Sequence, residues 1–449
     1  MSNGNVKTNV LFSFFAAEMF SFLMLNMGVQ YFSYFLTDVA FIAPAIAATI
    51  LLIAKVIDTV DVPFVGAIVV KTNMRWGKYR SFILVCAPIT AVLFSIMFTD
   101  FNVGDGTKAI YMAVAYIIAH LAVNHSSTSR LSLISVVASN QKQRIDLAAK
   151  RAQGGAFGTI LSGAVTLPLI AAISAGNETK GYSLTAMVFA IIMLISFYYQ
   201  AHCVKEYDIP EKRENRKAVS IKDMLGQIAV NKPLQILMIA EVFRYTLRFT
   251  IMGLAMYYFR YVLNNMVLLP AFFTVIAIGS FGGTIIGQYM ARFMENKRLY
   301  LISLVMIVVS LVGAYLFAQN SAVLFIGLIT IAWTGDGMVN TVQAAMYSDV
   351  SYYGRFVTGK DVTALVMSLL IFPLKLGVVV GGSVAAYGLA LIGYVPDTTA
   401  PEVINGIRTI ITVFPLVFSI VSVIAILFYS LTKEKVSELQ QAVDTGETA

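Results

Sequence analysis

Ten ionisable residues sit inside long apolar runs, where a charge at the centre of a bilayer costs at least about 3 kcal/mol and therefore faces a partner, a cavity or a pathway. They are the bases Lys55, Arg130, Arg244, Arg248 and Lys375 and the acids Glu18, Asp58, Asp61, Glu241 and Asp336. Lys55, Asp58 and Asp61 follow at three-residue spacing, which stacks them on neighbouring positions of one helix face. Two carboxylates a turn apart in a low dielectric do not both stay ionised alone. They share a proton, bind sodium or lean on the lysine. Asn124 and Ser127, in the polar stretch Asn124-His-Ser-Ser-Thr-Ser-Arg130, can add oxygen ligands for a hard cation. A Lys55–Asp58 salt bridge with Asp61 at its rim is the plainer alternative. Glu241, Arg244 and Arg248 also share a face. Glu241 is expected to neutralise Arg244, which leaves Arg248 with donors for a carboxylate or for sugar hydroxyls; a strut between helices would read the same.

Other chemistries lose their support on spacing. His120 and His125 are five residues apart and no HExxH pattern occurs, so a zinc site is not expected. Cys86 and Cys203 are too few for a disulfide framework or a thiolate metal site. The segment from Gly354 to Asp361 is like a phosphate-binding loop until its last residue, where Ser or Thr should bind magnesium, and no strand precedes it. It reads as a basic cytoplasmic loop, so no nucleotide and no cofactor is expected. Asp58 and Asp61 lie on one helix at adjacent turns, whereas a catalytic acid dyad converges from different elements, so the chain does not read as an enzyme.

The elements that must position these residues are set by composition. Of 449 residues, 58% are hydrophobic and only 12% are charged, against about 25% charged in ordinary globular chains. That supplies roughly a dozen spans of about 20 residues and leaves no room for a separate soluble domain. We place helical spans near 10–36, 42–70, 81–99, 108–135, 152–174, 183–203, 234–262, 267–292, 299–317, 321–347, 361–393 and 405–431. The polar stretch 204–232 divides them into two sets of six. The expected organisation is a bundle over 1–203, a cytoplasmic linker over 204–232, a second bundle over 233–431 and a cytoplasmic tail over 432–449. Lys and Arg crowd the connections 71–80, 142–151, 204–232, 292–298 and 355–360 and the tail, while the opposite side holds Lys108, Lys180, Arg260 and Arg408. That bias puts both termini in the cytoplasm. It also accounts for the net charge of +8 as topology, leaving nucleic-acid binding without support.

Asp58-Thr-Val-Asp61-Val-Pro63, followed by Gly66 and Arg75-Trp76-Gly77-Lys78-Tyr79-Arg80, resembles the glycoside-pentoside-hexuronide:cation symporter family. Leu36-Thr37-Asp38, Arg144-Ile-Asp-Leu147-Ala-Ala-Lys-Arg151, Tyr257-Tyr258-Phe259-Arg-Tyr261, Asp349-Val-Ser-Tyr-Tyr353-Gly354, Lys375 and Gly393-Tyr394-Val-Pro396 keep that family's order from about residue 10 to 431. The resemblance implies an all-α polytopic membrane protein of the major-facilitator fold, twelve transmembrane helices in two six-helix bundles that alternate access by rocking. It implies that Asp58 is like the first carboxylate of the cation site, that Lys375 stands between cation and sugar, that Arg151 borders the sugar, and that Glu18 occupies the place of a helix-one acid. Two stretches depart from the pattern. The second cation-site carboxylate is Val62 while its neighbour is Asp61, and the helix-four acid that binds galactoside hydroxyls falls at Ser127, with Leu131 in place of a tryptophan a turn later.

The expected sites are therefore Asp58, Asp61 and Asn124 for the cation, with the two acids as metal ligands only if the ion is sodium. Glu18, Ser127, Arg151, Arg248 and Lys375 are expected to bind substrate, and Lys55, Arg75, Lys78 and Asp349 to couple or gate. The expected function is symport of a glycoside, pentoside or hexuronide with H+ or Na+, the displaced acid pair favouring protons. The expected partners are the sugar and the lipid bilayer, and the expected state is a monomer in the inner membrane. A carrier of amphipathic or lipid-like cargo, or a sugar sensor that does not translocate, are the alternatives.

Overall fold

Backbone groups in a bilayer core have no water to bond, so apolar runs of this length close their own hydrogen bonds as helices. The computed structural model describes residues 6–71, 74–139, 141–208, 226, 228–318, 321–359, 366–367 and 369–445. Twelve long helices span them: α1 (Thr8–Tyr34), α2 (Pro44–Lys71), α3 (Arg80–Met97), α4 (Asp105–Val137), α5 (Gln141–Ser174), α6 (Glu178–Cys203), α7 (Lys232–Tyr257), α8 (Leu269–Met290), α9 (Asn296–Phe317), α10 (Ala322–Thr358), α11 (Ile371–Leu391) and α12 (Pro401–Leu427). A shorter α13 (Lys433–Thr445) follows. Among the described residues, ten of the long helices are apolar enough to cross a membrane on length and composition. The other two, α2 and α7, are as long, but Lys55, Asp58 and Asp61 interrupt one and Glu241, Arg244 and Arg248 the other.

Local chemistry sets several ends. The side chains of Asn177, Asn231 and Ser321 accept from the amides of Lys180, Leu234 and Leu324, capping α6, α7 and α10. Pro233 in the first turn of α7 loses nothing by lacking an N–H. Both α1 and α7 run on into a five-residue π-helical turn, Phe35–Val39 and Tyr258–Val262, so the two sets of helices begin alike.

The chain forms two compact units, Met1–Ala218 and Val219–Ala449. In the first, α1 packs along α5 and α6, α3 along α4 and α6, and α2 on α4. In the second, α7 packs along α11 and α12, α9 along α10 and α12, and α8 on α10. The pairing pattern is thus repeated helix for helix. Small residues let the main pair of each unit approach closely. A Cβ at Gly154 would lie 2.2 Å from the Phe15 carbonyl oxygen and one at Gly158 2.2 Å from that of Met19, so α5 touches α1 backbone to backbone. Gly377 and Gly381 do the same for α11 on α7, where a Cβ would come 2.3 Å from Tyr245 Cβ and 2.5 Å from the Thr246 oxygen.

Four expectations change. Arg144, Lys150 and Arg151 lie within α5, which starts at Gln141; their polarity hides helix that hydropathy leaves out. Gly354–Thr358 is the last turn of α10, closed by Gly359 at φ +65°, not loop. Residues 204–208 of the expected linker fold onto the first unit, as described below. The tail carries α13, with Val436 and Leu439 buried as it packs on α10. Residues 209–225 and 227 of the linker, Lys360 and Asp361, and 446–449 of the tail lie outside the described residues.

Candidate substrate and ion sites

The acids of α2 converge on one amide of α4. Asn124 Nδ2 donates to Asp58 Oδ1 at 2.7 Å and to Asp61 Oδ2 at 3.3 Å, so the two carboxylates share a neutral donor. Asp58 is buried and Asp61 half-buried. Further positive or donor groups surround them. His125 Nδ1 lies 3.9 Å from Asp61 Oδ2 while donating to the Leu121 carbonyl at 2.9 Å, and the His125 ring stacks on Phe82. A carbonyl only accepts, so the proton of that contact is on Nδ1. The Lys55 ammonium stands 5.0 Å from the centroid of the Tyr116 ring. Among the described residues no group of three His, Cys, Asp or Glu could hold a metal ion.

A second cluster lies between α1, α4, α5 and α6. Arg130 Nη2 donates to Glu18 Oε2 in a short ion pair, and its Nε donates to Gln200 Oε1 at 3.2 Å. The guanidinium lies 4.3 Å from the centroid of the Phe197 ring. Arg151 Nε approaches the other oxygen of Glu18 at 3.0 Å, and its Nη2 donates to Ser127 Oγ at 3.4 Å. Glu18 and Arg130 are buried, whereas the side chain of Arg151 retains 17% exposure. The structure thus brings Glu18, Arg151 and Ser127 together. Ser127 turns to Arg151, and Asn124 alone of the α4 pair meets the acids of α2. Sequence reasoning counted Arg130 as an interior charge but gave it no role, because its partner is 112 positions away and no spacing rule reaches that far. The close α1–α5 approach at Gly154 and Gly158 sets this geometry, and a Cβ at Gly155 would stand 3.6 Å from Glu18 Cγ.

The second unit holds a network with equal charges of both signs. Arg244 gives Nε at 3.1 Å and Nη2 at 2.6 Å to Glu241 Oε2, and its Nη1 donates to Asp336 in a short ion pair. Tyr300 OH donates to Glu241 Oε1 at 2.7 Å, and Gln343 Nε2 to Oε2 at 3.0 Å. The Tyr245 ring lies 4.2 Å from the Arg244 guanidinium, and Glu241 and Arg244 are fully buried. Arg248, read either as a residue with donors to spare for substrate or as a strut between helices, pairs with Asp336 Oδ2 at 2.5 Å; α10 supplies an acid that the spacing within α7 could not reveal.

The expected coupling residues are scattered. Arg75 is exposed and lies 4.8 Å from the Trp76 ring centroid, while Lys78 is 5.7 Å from that of Tyr79. What orders their loop is Asp208, a buried residue that sequence reasoning passed over as linker. Its carboxylate accepts from the backbone amides of Lys78, Tyr79 and Arg80 at 3.2, 2.8 and 2.6 Å, holding the start of α3 where the helix dipole favours an anion. Gly77, at φ +113°, passes so close that a Cβ would be 2.5 Å from the Asp208 backbone carbonyl oxygen and 2.7 Å from its Oδ2. Asp349 on α10 accepts from Asn296 Nδ2 at 3.4 Å and borders a cavity of about 390 Å³ beside α13. Lys375 is half-buried in α11, on a different helix from Arg244 and Asp336.

Three comparisons bear on identity. The isoprimeverose transporter of Lactiplantibacillus pentosus is 27% identical over 432 residues, covering 94% of this chain and 88% of its own. The glucuronide carrier protein homolog of Escherichia coli is 29% identical over 431 residues, covering 93% and 91%. Among solved structures, a bacterial homolog to the human lysosomal transporter Spinster, facing inward and unoccupied, superposes with a TM-score of 0.69 over 99% of each chain. Its 12% identity carries the fold alone. The family model described as MFS/sugar transport protein matches residues 14–433, which agrees with the family resemblance of the sequence. The chain therefore belongs to the MFS/sugar transport protein family and is a multi-pass membrane transporter, not an enzyme.

Proposed function

We propose that the protein is a cation-coupled symporter of a sugar, with Asp58, Asp61 and Asn124 handling the ion and Glu18, Arg151 and Ser127 meeting the substrate. The observation that carries this reading is the convergence of Asp58 and Asp61 on the single amide of Asn124. Two carboxylates held together at membrane depth repel unless a cation joins them, so their affinity for one is built in. Relatives named for isoprimeverose and glucuronide support a sugar as cargo.

The surroundings favour a proton over sodium. Sodium needs several oxygen ligands, whereas the group that joins the two acids here is an N–H donor, the side-chain amide of Asn124. A proton needs only the carboxylate itself. The guanidinium, carboxylate and hydroxyl of Arg151, Glu18 and Ser127 suit hydroxylated cargo, which is why a lipid-like cargo is the weaker alternative. Flux separates carrier from sensor. Purified protein in proteoliposomes should accumulate isoprimeverose or a β-glucuronide when an inward pH gradient is imposed. Accumulation driven by sodium but not by protons would overturn the ion assignment. Accumulation driven by neither would overturn symport of these sugars.

A further inference from the structure

The cavity beside α13 lies wholly within the second unit, among the start of α9, the C-terminal part of α10, the chain after α12 and α13 itself. Its volume of about 390 Å³ is in the range of small-molecule sites. Four charged side chains line it, and three of them are accounted for. Lys297 gives its ammonium to the carbonyls of Leu427 and Tyr429 at 3.2 and 2.6 Å, closing the end of α12. Glu295 immediately precedes α9, where the helix dipole favours an anion. Lys433 is exposed in the first turn of α13. Asp349 is the fourth. It is half-buried, it accepts one long bond of 3.4 Å from the neutral amide of Asn296, and it has no ion pair among the described residues.

The rest of the wall is of two kinds. Met294, Met346, Leu431 and Val436 make an apolar surface. Tyr429 also lines the cavity; it is 2% exposed, yet its hydroxyl finds no hydrogen-bond partner among the described residues. A buried hydroxyl left unmatched is costly, so an occupant that supplies a partner is favoured. A carboxylate without a counter-ion, an apolar wall and a tyrosine together suit an organic cation, because ammonium N–H groups bond the carboxylate, the ring attracts positive charge and carbon covers the apolar wall. A metal ion needs more oxygen ligands, and among the described residues no group of three His, Cys, Asp or Glu could hold one. A neutral polyol leaves Asp349 without a counter-charge.

We propose that this cavity is an effector site for a small protonated organic amine, with the ammonium on Asp349 and the carbon chain against Met346 and Leu431. The acids of α2 and the cluster around Glu18 belong to the first unit, so this site stands whether or not the symport reading does. The bias of Lys and Arg puts it on the expected cytoplasmic side. The occupant touches α10 and α13 together and ties the tail helix, which buries Val436 and Leu439, to the end of the second unit. The level of amine therefore sets how firmly α13 is held.

Putrescine, its neutral analogue 1,4-butanediol and magnesium chloride serve as probes of the detergent-purified full chain at constant ionic strength. Each is titrated while the melting temperature and the rate of tryptic cleavage after Lys433 and Lys435 are read. Putrescine should raise the melting temperature to a plateau, as binding to the folded state does, and slow both cleavages; the diol and magnesium should do neither. Asp349→Asn should weaken putrescine at least about tenfold, as loss of a bond to a charged group does, and Glu295→Gln should weaken it less. Ser437→Trp changes an exposed position on α13 that lines the cavity; it should fill the space and abolish binding, and it decides the matter if Asp349→Asn does not fold. An equal effect of the diol marks a polyol site and an equal effect of magnesium a metal site, and either overturns the proposal. So do the absence of any putrescine effect and putrescine binding that survives both Asp349→Asn and Ser437→Trp, which puts the amine elsewhere. A melting shift without slower cleavage overturns the link to α13.

Discussion

Replacing Gly158 by alanine tests how packing sets the site. The added Cβ would lie 2.2 Å from the Met19 carbonyl oxygen, against an ordinary contact of about 3.5 Å. To relieve it, α5 must withdraw from α1 by on the order of 1 Å. Glu18 precedes Met19 on α1, and Arg151 lies two turns before Gly158 on α5, so the same withdrawal acts on the 3.0 Å bond between Arg151 and Glu18. Lengthened by about 1 Å, that contact leaves hydrogen-bond range. Overpacking of a tight seam costs about 1–3 kcal/mol, and the better helix propensity of alanine returns up to about 1 kcal/mol. The net loss is about 0–2 kcal/mol, at roughly 2–4 °C per kcal/mol for a unit of this size. A thermal melt of purified protein reads the stability, and equilibrium binding of the sugar reads the site, expected to weaken at least about tenfold as the arginine loses its register. Gly106→Ala is the control, because nothing stands within 4 Å of a Cβ there. A Gly158→Ala protein that melts and binds like the wild type would refute the claim that this seam positions Glu18 against Arg151.

Two further perturbations separate structure from function. Asp336→Asn leaves Arg244 and Arg248 without their shared anion and should cost about 3–5 kcal/mol, as loss of one partner from a buried ion pair does; a melt within error of the wild type would contradict the structural role. Asp208→Ala removes the acceptor of three amides at the start of α3 and should cost about 1–2 kcal/mol, the worth of a helix cap. Faster proteolysis at the Arg75–Lys78 loop should accompany it, and unchanged cleavage would show that the loop is held otherwise.

The fold was legible because bilayer helices announce themselves by apolar length, and the charges of α2 and α7 stand out against that background. Asp58, Asp61 and Asn124 could be linked in advance because spacing puts the acids on one face and polarity marks the facing stretch of α4. Hydropathy failed where helices carry polar residues past the apolar band, as at Arg144–Arg151 and Gly354–Thr358. Long-range pairing was beyond periodicity altogether. Arg130 with Glu18, Arg248 with Asp336, and Asp208 with the start of α3 join positions 88 to 130 apart. Each partner in these contacts is polar, and nothing in its own helix distinguishes a strut from a site. The resemblance of the motifs supplied expected roles for Asp58, Arg151 and Lys375, and it set Ser127 at the position of a sugar-binding acid; in the structure Ser127 is bonded to Arg151.

The central claim, that the acids of α2 couple an ion gradient to sugar movement, is tested most directly by Asp58→Asn in proteoliposomes. Two rates are compared in one preparation: accumulation of labelled sugar under an imposed pH gradient, and exchange of labelled for unlabelled sugar with no gradient. The account predicts that the variant loses accumulation and keeps exchange, because the proposed sugar residues Glu18, Arg151 and Ser127 are untouched while the proposed ion site keeps only one of its two carboxylates. Undiminished gradient-driven accumulation by the variant would contradict it.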